Sequence, residues 1–177
     1  MDKFKNLIVL GPLIYAIHHF EEHTIFNFIE WKLQYFYHSA AALSTEAILA
    51  ILTCILVTFA LLHLVKNDRA SAHVILFMLF AIQVINAFYH IFFSFYFSDF
   101  SPGAITAALL YLPVNFLIAQ AAFREGYLKS YFEYGCIAFL GTTTFILFEI
   151  IGPLIIALAI IFSLMYYFYF NKRLSNN

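Results

Sequence analysis

The sequence contains six apolar segments, separated by short polar breaks, that are each long enough to cross a lipid bilayer. A transmembrane helix needs about 20 consecutive, mainly apolar residues to cover the hydrocarbon core. The segments comprise residues 5–26, 40–65, 72–97, 103–123, 131–150 and 152–171. The last two are divided at Gly152-Pro153, a pair that interrupts helices. We therefore predict an all-α integral membrane bundle of six transmembrane helices, forming one domain over residues 1–177.

The composition agrees with a membrane protein and excludes one class of partner. Hydrophobic residues make up 64% of the chain and charged residues 11%, with a formal net charge of −1. A soluble domain of this length has far more charge. Since there is no basic block to attract phosphates, we expect no nucleic-acid partner.

The distribution of lysine and arginine predicts the orientation of the spans. These residues are enriched in cytoplasmic connections. Eight of the nine occur at the termini and in every second connection, as Lys3, Lys5, Lys66, Arg69, Arg124, Lys129, Lys172 and Arg173. The ninth, Lys32, lies in an intervening connection together with Glu30. This alternation predicts that both termini are cytoplasmic. Residues 27–38 contain Trp31, Tyr35 and Tyr37 among charges, which is typical of an interfacial helix or loop, here on the outer side.

The segment His18-His19-Phe20-Glu21-Glu22-His23 brings five ionisable side chains into the first apolar segment. Ionisable residues are costly in lipid, so they indicate a functional site by default. Residues three or four positions apart share a helix face, which groups His18 with Glu21 and Glu22. Glu22 also reaches the neighbouring face of His19 and His23. The alternative is a solvated helix end whose side chains extend toward the interface.

Further polar residues are predicted at the same outer depth in other spans. In the third span they recur every three or four residues, as Gln83, Asn86, His90 and Ser94. Such spacing forms one polar stripe on a helix. Glu46 lies early in the second span. Ser101-Pro102-Gly103 forms the turn into the fourth span, and Thr106 follows one helical turn later. Because these groups converge, we expect His90 and Asn86 to meet the cluster on the first span.

A histidine near a carboxylate, met by a second histidine from a facing helix, resembles the metal sites of helix-bundle cores. The predicted metal ligands are His18, Glu21, Glu22, His90 and Glu46, and the predicted catalytic residues are Glu21, Glu22, His90 and Asn86. Nitrogen and oxygen ligands favour a divalent metal or iron (Zn, Mn or Fe) over Cu(I).

Other roles for these residues stay open. The carboxylate pair could act as a general base without a metal. Asn86 and His90 could be an interhelical hydrogen-bonded pair, and Glu46 could cap a helix beside Ser44. His38, His63 and His73 lie near predicted span ends, where exposed interfacial imidazoles are expected. The pattern assigns no role to His19, His23 or Glu149.

His18-His19-Phe20-Glu21-Glu22 resembles the motif of the HXXEE-domain family of small bacterial membrane proteins. Members of that family also tend to carry an Asn and His pair followed by a Pro-Gly turn, which here resembles Asn86, His90 and Pro102-Gly103. The resemblance covers most of the first four spans. It implies a multi-pass protein of the bacterial cell membrane, and it implies no particular activity.

The Glu pair is also similar to that of intramembrane glutamic proteases of the CAAX-processing type, but three features depart from their pattern. Phe26 stands where those proteases have Arg, and Asn86 stands where they have Phe. Their final His-x-x-x-Asn element has only His63 to Asn67 as a counterpart, and it precedes His90. A protease is therefore disfavoured.

Three functions follow as hypotheses. The first is a membrane-embedded, metal-dependent enzyme that acts on a lipid or another hydrophobic small molecule in the outer half of the bilayer. The second is a small transporter or ligand-binding membrane protein, coupled to protons or cations through the same Glu and His residues. No inverted repeat or matching pair of broken helices supports it. The third is a structural or immunity-type membrane protein.

Overall fold

The computed structural model of the chain describes residues 3–36 and 43–174, and all regular secondary structure in these residues is helical. The helices are α1 Phe4–Leu7, α2 Leu10–Phe20, α3 Phe28–Tyr35, α4 Thr45–Lys66, α5 Arg69–Leu79, α6 Ile85–Tyr96, α7 Ala104–Thr106, α8 Leu112–Arg124, α9 Tyr131–Ile151 and α10 Leu154–Leu174. Three π-helical turns, Glu21–Ile25, Phe80–Val84 and Ala107–Tyr111, directly follow α2, α5 and α7. The prediction of an all-α fold is confirmed.

Among the residues that the structure describes, five continuous helices are long and apolar enough to cross a membrane: α4, α5 with α6, α7 with α8, α9, and α10. They lie close to five of the six predicted segments. The predicted start of the second segment, residue 40, lies outside the described residues. The pair Gly152-Pro153 separates α9 from α10 as expected, with Gly152 at φ 89°.

The first predicted span, 5–26, is interrupted between α1 and α2. Pro12 explains the break, because its ring clashes with the carbonyl of residue i−4, here Ile8, and it lacks an N–H. At 1.5 Å per residue, α2 and its π-helical turn extend roughly 24 Å, which is less than the hydrocarbon thickness of about 30 Å. A sixth span and the side on which each terminus lies therefore stay predictions.

Side-chain caps define where the spanning helices begin. The oxygens of Ser44, Asp68 and Ser130 accept hydrogen bonds from backbone amides three residues later, at 3.2, 2.7 and 3.2 Å. These caps satisfy amides that have no partner inside the helix. Asn67, in the left-handed region at φ 49°, ends α4 one residue before the Asp68 cap of α5. The two helices therefore form a tight hairpin.

The continuous helix of α5, its π-helical turn and α6 is the centre of the bundle, because it is the most buried of the five long helices. Its polar stripe faces inward. The Gln83 side chain is fully buried: its Nε2 donates to the Gly11 carbonyl at 2.7 Å, and its Oε1 accepts from Asn115 Nδ2 at 2.9 Å. Gln83 thereby joins the central helix to α2 and α8.

Polar contacts also close the end of the bundle formed by the α4–α5 hairpin. His63 and His73 are buried there, in contrast to the expected exposed imidazoles. His63 Nδ1 lies 3.0 Å from Ser71 Oγ, and His73 bridges the Tyr127 carbonyl at 2.8 Å and the Tyr166 hydroxyl at 2.7 Å. The prediction for these two histidines was wrong because tertiary contacts replaced water as their partners.

The predicted interfacial segment contains a short helix, α3. Its Trp31 is buried, and the Tyr35 hydroxyl donates to Asp99 at 2.9 Å. The hydrogen bond to this carboxylate raises the pKa of Tyr35. Tyr37 and His38 lie outside the described residues.

Candidate functional site

The histidine and glutamate motif lies where α2 passes into its π-helical turn. The Phe26 amide donates to the Glu21 carbonyl at 3.0 Å, which closes the turn over five residues. A π-helical turn inserts one extra residue into a helix and is frequent at functional sites. His18 is fully buried before the turn, and Glu21 and Glu22 are buried within it.

The structure brings together His18, Glu22 and His90, all buried. Glu22 Oε1 lies 3.3 Å from His18 Nε2 and 2.9 Å from His90 Nε2. The two imidazole centroids are 5.1 Å apart. Two ring nitrogens and one carboxylate oxygen from α2, its π-helical turn and α6 thus face one point, which we call the inner group.

The Nδ1 atom of His18, which faces away from Glu22, has a hydroxyl partner that determines the tautomer of the neutral ring. His18 Nδ1 lies 2.7 Å from Thr106 Oγ1, and that hydroxyl donates to the Gly103 carbonyl at 3.3 Å. Since a hydroxyl has one proton, Thr106 accepts from Nδ1–H. A neutral His18 ring therefore directs the lone pair of Nε2 toward Glu22, which is the arrangement of a metal-binding imidazole with an oriented second nitrogen.

His90 is oriented in a similar way. Its Nδ1 lies 3.0 Å from Ser101 Oγ, while its buried Nε2 has no well-aligned hydrogen bond among the described residues, although Glu22 Oε1 is 2.9 Å away. With Nδ1–H donating to Ser101, the lone pair of His90 Nε2 faces the Glu22 carboxylate, and lone pairs that face each other repel. The lone pair of His18 Nε2 and the Glu22 carboxylate repel in the same way. A cation or a proton between these atoms would remove both repulsions.

For a metal ion held by the inner group, we expect Thr106→Val to weaken binding by about 10- to 100-fold, because it removes the acceptor that orients His18. The measurement is a competition titration of purified protein with a chelator of known affinity. Thr143→Val is the matched control, since that exposed hydroxyl donates only to the Phe139 carbonyl of its own helix, at 2.9 Å. Equal affinities in the two variants would contradict the orienting role.

Asn86 lies beside the inner group, with its Nδ2 3.0 Å from His18 Nε2. A carboxamide presents either a donor or an acceptor there, depending on its rotation. Asn86 is therefore placed to support His18 or to offer its oxygen to a bound ion. The contact agrees with the expectation that Asn86, on the polar stripe of the third span, meets the cluster on the first span.

The structure does not bring Glu21, one of the predicted ligands, into the inner group. Its carboxylate oxygens accept from the backbone amides of Ile105 at 3.2 Å and Thr106 at 2.7 Å. These amides lie in the first turn of α7, where amides lack partners within the helix. Glu21 therefore positions the segment that carries Thr106, and the hydroxyl of Thr106 in turn contacts His18.

Gly103 allows that segment to approach the site. Its φ is 95°, and a Cβ placed on it would lie 2.7 Å from His18 Cε1, 2.9 Å from Glu22 Cγ and 3.2 Å from His90 Cε1. All three members of the inner group therefore pack against one glycine. A side chain at this position would need both a strained backbone and a displaced site.

A second group of possible ligands, which we call the outer group, consists of His19, Glu22 and His23. Glu22 Oε2 lies 3.8 Å from His23 Nε2, and the rings of His19 and His23 are 4.4 Å apart. Glu22 thus serves both faces of the helix, as the spacing predicted. The sequence pattern gave His19 and His23 no role.

A cavity of about 460 Å³ adjoins the outer group. One end is lined by ionisable side chains, namely His19, Glu22, His23, Lys32, Glu46 and Glu149. The remainder is mainly apolar and includes Leu52, Ile55, Met78, Ile82, Ile156 and Ala159. This size and lining suit a small apolar molecule with one polar end.

Glu46 and Glu149 occupy the polar end of this cavity without entering either group of ligands. Glu46 lies in the first turn of α4, after the Ser44 cap, so the structure does not bring it to the predicted metal site. Glu149 pairs with Lys32 at 2.6 Å and connects α9 with α3.

Two supporting residues were not assigned roles from the sequence. Ser101 and Thr106 hold the outward nitrogens of His90 and His18, and the Tyr111 ring lies 4.3 Å from the His18 ring. The sequence did contain a signal for these two residues. The predicted turn at Ser101-Pro102-Gly103 places their hydroxyl groups at the same predicted membrane depth as His18 and His90.

The comparisons with known proteins agree with the motif. A family model described as a protein of unknown function with HXXEE motif matches residues 9–118. This range contains every residue of the inner and outer groups and ends within α8. No curated protein and no solved structure matches the chain.

Proposed function

The chain belongs to the family of proteins with the HXXEE motif, and we propose that it is a membrane-embedded, metal-dependent enzyme that acts on a lipid or another hydrophobic substrate. The observation that carries the proposal is the inner group. It joins two imidazoles and one carboxylate from separate parts of the fold at one buried point.

The chemistry of these residues fits a divalent metal or iron. Two histidines and one carboxylate are the protein ligands of catalytic zinc sites and of non-haem iron sites, which leave coordination positions for water or substrate. His18 Nε2 and His90 Nε2 both face Glu22, and hydroxyls hold the opposite nitrogens. A bound ion would supply Lewis acidity or a redox centre.

The cavity supports the choice of a hydrophobic substrate. Its polar end contains Glu22 and Glu46, and the apolar remainder extends along α4 from Ile48 to Ile55, roughly 10 Å at the helical rise. A substrate with a polar group and an apolar chain would place the polar group beside the inner group. In the proposed topology this end lies in the outer half of a bacterial cell membrane.

Some residues of the chain would bind the metal ion, and others would transfer protons. Glu22 and the two buried histidines would hold the ion, and Asn86 would orient His18 or the substrate. His19 and His23 line the cavity, so a neutral ring of either could accept a proton from the substrate or from water. Glu21 is not assigned this role, because two amides already occupy its oxygens.

Metal analysis of detergent-purified protein tests the proposal. We expect bound Zn, Mn or Fe in the unmodified chain, and a loss of that metal in His18→Ala and His90→Ala. The protein should be purified through a tag without histidines. His73→Ala is the matched control, because His73 is also buried but bonds to Tyr127 and Tyr166 at the other end of the bundle.

Protein that folds and elutes normally but contains no metal, even after incubation with each of the three ions, would overturn the proposal. Metal that persists equally in His18→Ala, His90→Ala and His73→Ala would also contradict it, because binding would then lie elsewhere. Circular dichroism of each variant separates a lost ligand from a lost fold.

A further inference from the structure

We infer that the site binds two metal ions bridged by the Glu22 carboxylate, with the second ion held by the outer group. This inference rests on the proposed function, extends it from one ion to a pair, and makes His19 and His23 ligands of the second ion in place of proton acceptors. It starts from the existence of two ligand groups, His18 with Glu22 and His90, and His19 with Glu22 and His23. Glu22 is common to both.

The two oxygens of Glu22 are used by different groups. Oε1 is the atom near His18 and His90, at 3.3 and 2.9 Å, whereas Oε2 is the atom near His23, at 3.8 Å. A carboxylate that offers one oxygen to each of two ions acts as a bridge. Enzymes with two metal ions hold them about 3.5–4 Å apart, a separation that one carboxylate can span.

The helical sequence explains how one glutamate reaches both groups. His18 and Glu22 are four residues apart, as are His19 and His23, so each pair shares a face and the two faces are adjacent. The i, i+4 relation brings the rings of His19 and His23 to 4.4 Å between centroids. His90 completes the inner group from α6, while the outer group comes from α2 and its π-helical turn alone.

The surroundings give the two ions different roles. Every member of the inner group is buried, with His18 and His90 fully enclosed. His19 and His23 line the cavity, and the His23 side chain is 18% exposed. The outer ion would therefore have coordination positions directed at the cavity, as catalytic sites with three protein ligands do.

This arrangement defines the class of ligand that the outer ion takes. The cavity beyond it is apolar, and Lys32 at its polar end is already paired with Glu149 at 2.6 Å. The ligand class is thus an amphiphile with an oxygen-containing headgroup and an apolar chain. The headgroup oxygen binds the outer ion, and the chain lies between α4, α5 and α10.

Metal counting and electron paramagnetic resonance test the pair of ions. Protein loaded with Mn²⁺ is expected to contain about two ions per chain and to give the multiline spectrum of two exchange-coupled ions. His23→Ala and His19→Ala are expected to retain about one ion and to give the six-line spectrum of isolated Mn²⁺. His73→Ala, as the matched control, should retain the coupled pair.

The outcomes separate this inference from the proposed function. One ion per chain in the unmodified protein, unchanged in His19→Ala and His23→Ala, would overturn the pair and leave the single-metal enzyme standing. No bound ion at all would overturn both. Because the spectrum of the unmodified chain already distinguishes one ion from two, the test does not depend on whether any variant folds.

Discussion

Gly103→Ala is expected to weaken metal binding at the proposed site by about 100-fold or more. The new Cβ would lie 2.7 Å from His18 Cε1 and 2.9 Å from Glu22 Cγ, closer than carbon atoms approach without displacement. Backbone strain at φ 95° adds about 1–2 kcal/mol, and overpacking adds about 1–3 kcal/mol. Chelator competition and thermal unfolding measure the two effects.

Gly126→Ala is the matched control for this substitution. Gly126 also has a positive φ, of 78°, but a Cβ there would meet nothing within 4 Å. It should therefore show the loss of stability that comes from backbone strain and keep its full metal affinity. If both variants bound metal as the unmodified chain does, Gly103 would not be what allows close packing of the site.

Glu22→Gln is expected to abolish the proposed metal binding, whereas Glu21→Gln is expected to retain it. A neutral amide at position 22 takes away the only negative charge of the inner group, and the loss should exceed the roughly 100-fold cost of losing a supporting contact. Glu21 binds the amides of Ile105 and Thr106, so its substitution weakens a charged hydrogen bond without removing a ligand.

The two substitutions are controls for each other, since they are adjacent, buried and change the same chemical group. We expect Glu21→Gln to lower thermal stability by about 1–3 kcal/mol and to reduce metal affinity less than Glu22→Gln does. Equal metal loss in both variants would contradict the separation of their roles. It would favour the original expectation that both glutamates are ligands.

The helices could be predicted from the sequence because hydrophobic length and capping residues are local signals. Predicted segments begin near Ser44, Asp68 and Ser130, and one ends near Gly152. In the structure the first three residues cap helix beginnings and Gly152 caps a helix end. The interruption of the first segment was harder to predict. It depends on the effect of Pro12 on the carbonyl four residues earlier, which a count of apolar residues does not register.

The meeting of His18, Glu22 and His90 was also predictable, since a polar stripe on an apolar helix has to face other polar groups. The different roles of Glu21 and Glu22 were not. Glu21 bonds to α7, and the position of α7 depends on the turn at Gly103 and on packing between distant segments. The π-helical turn that begins at Glu21 is not visible in a sequence pattern either, since the pattern assumes regular α-helical spacing.

The cavity is formed by two parts of the chain, of which the family model covers one. The ligand groups all lie in residues 9–118, the region shared with the family, whereas α9 and α10 contribute Phe148, Ile156 and Ala159 to the cavity wall. In the proposed enzyme, substitutions in these last two helices would reshape the cavity and leave every candidate ligand in place. We therefore expect such substitutions to change which hydrophobic substrate is accepted without removing a metal ligand.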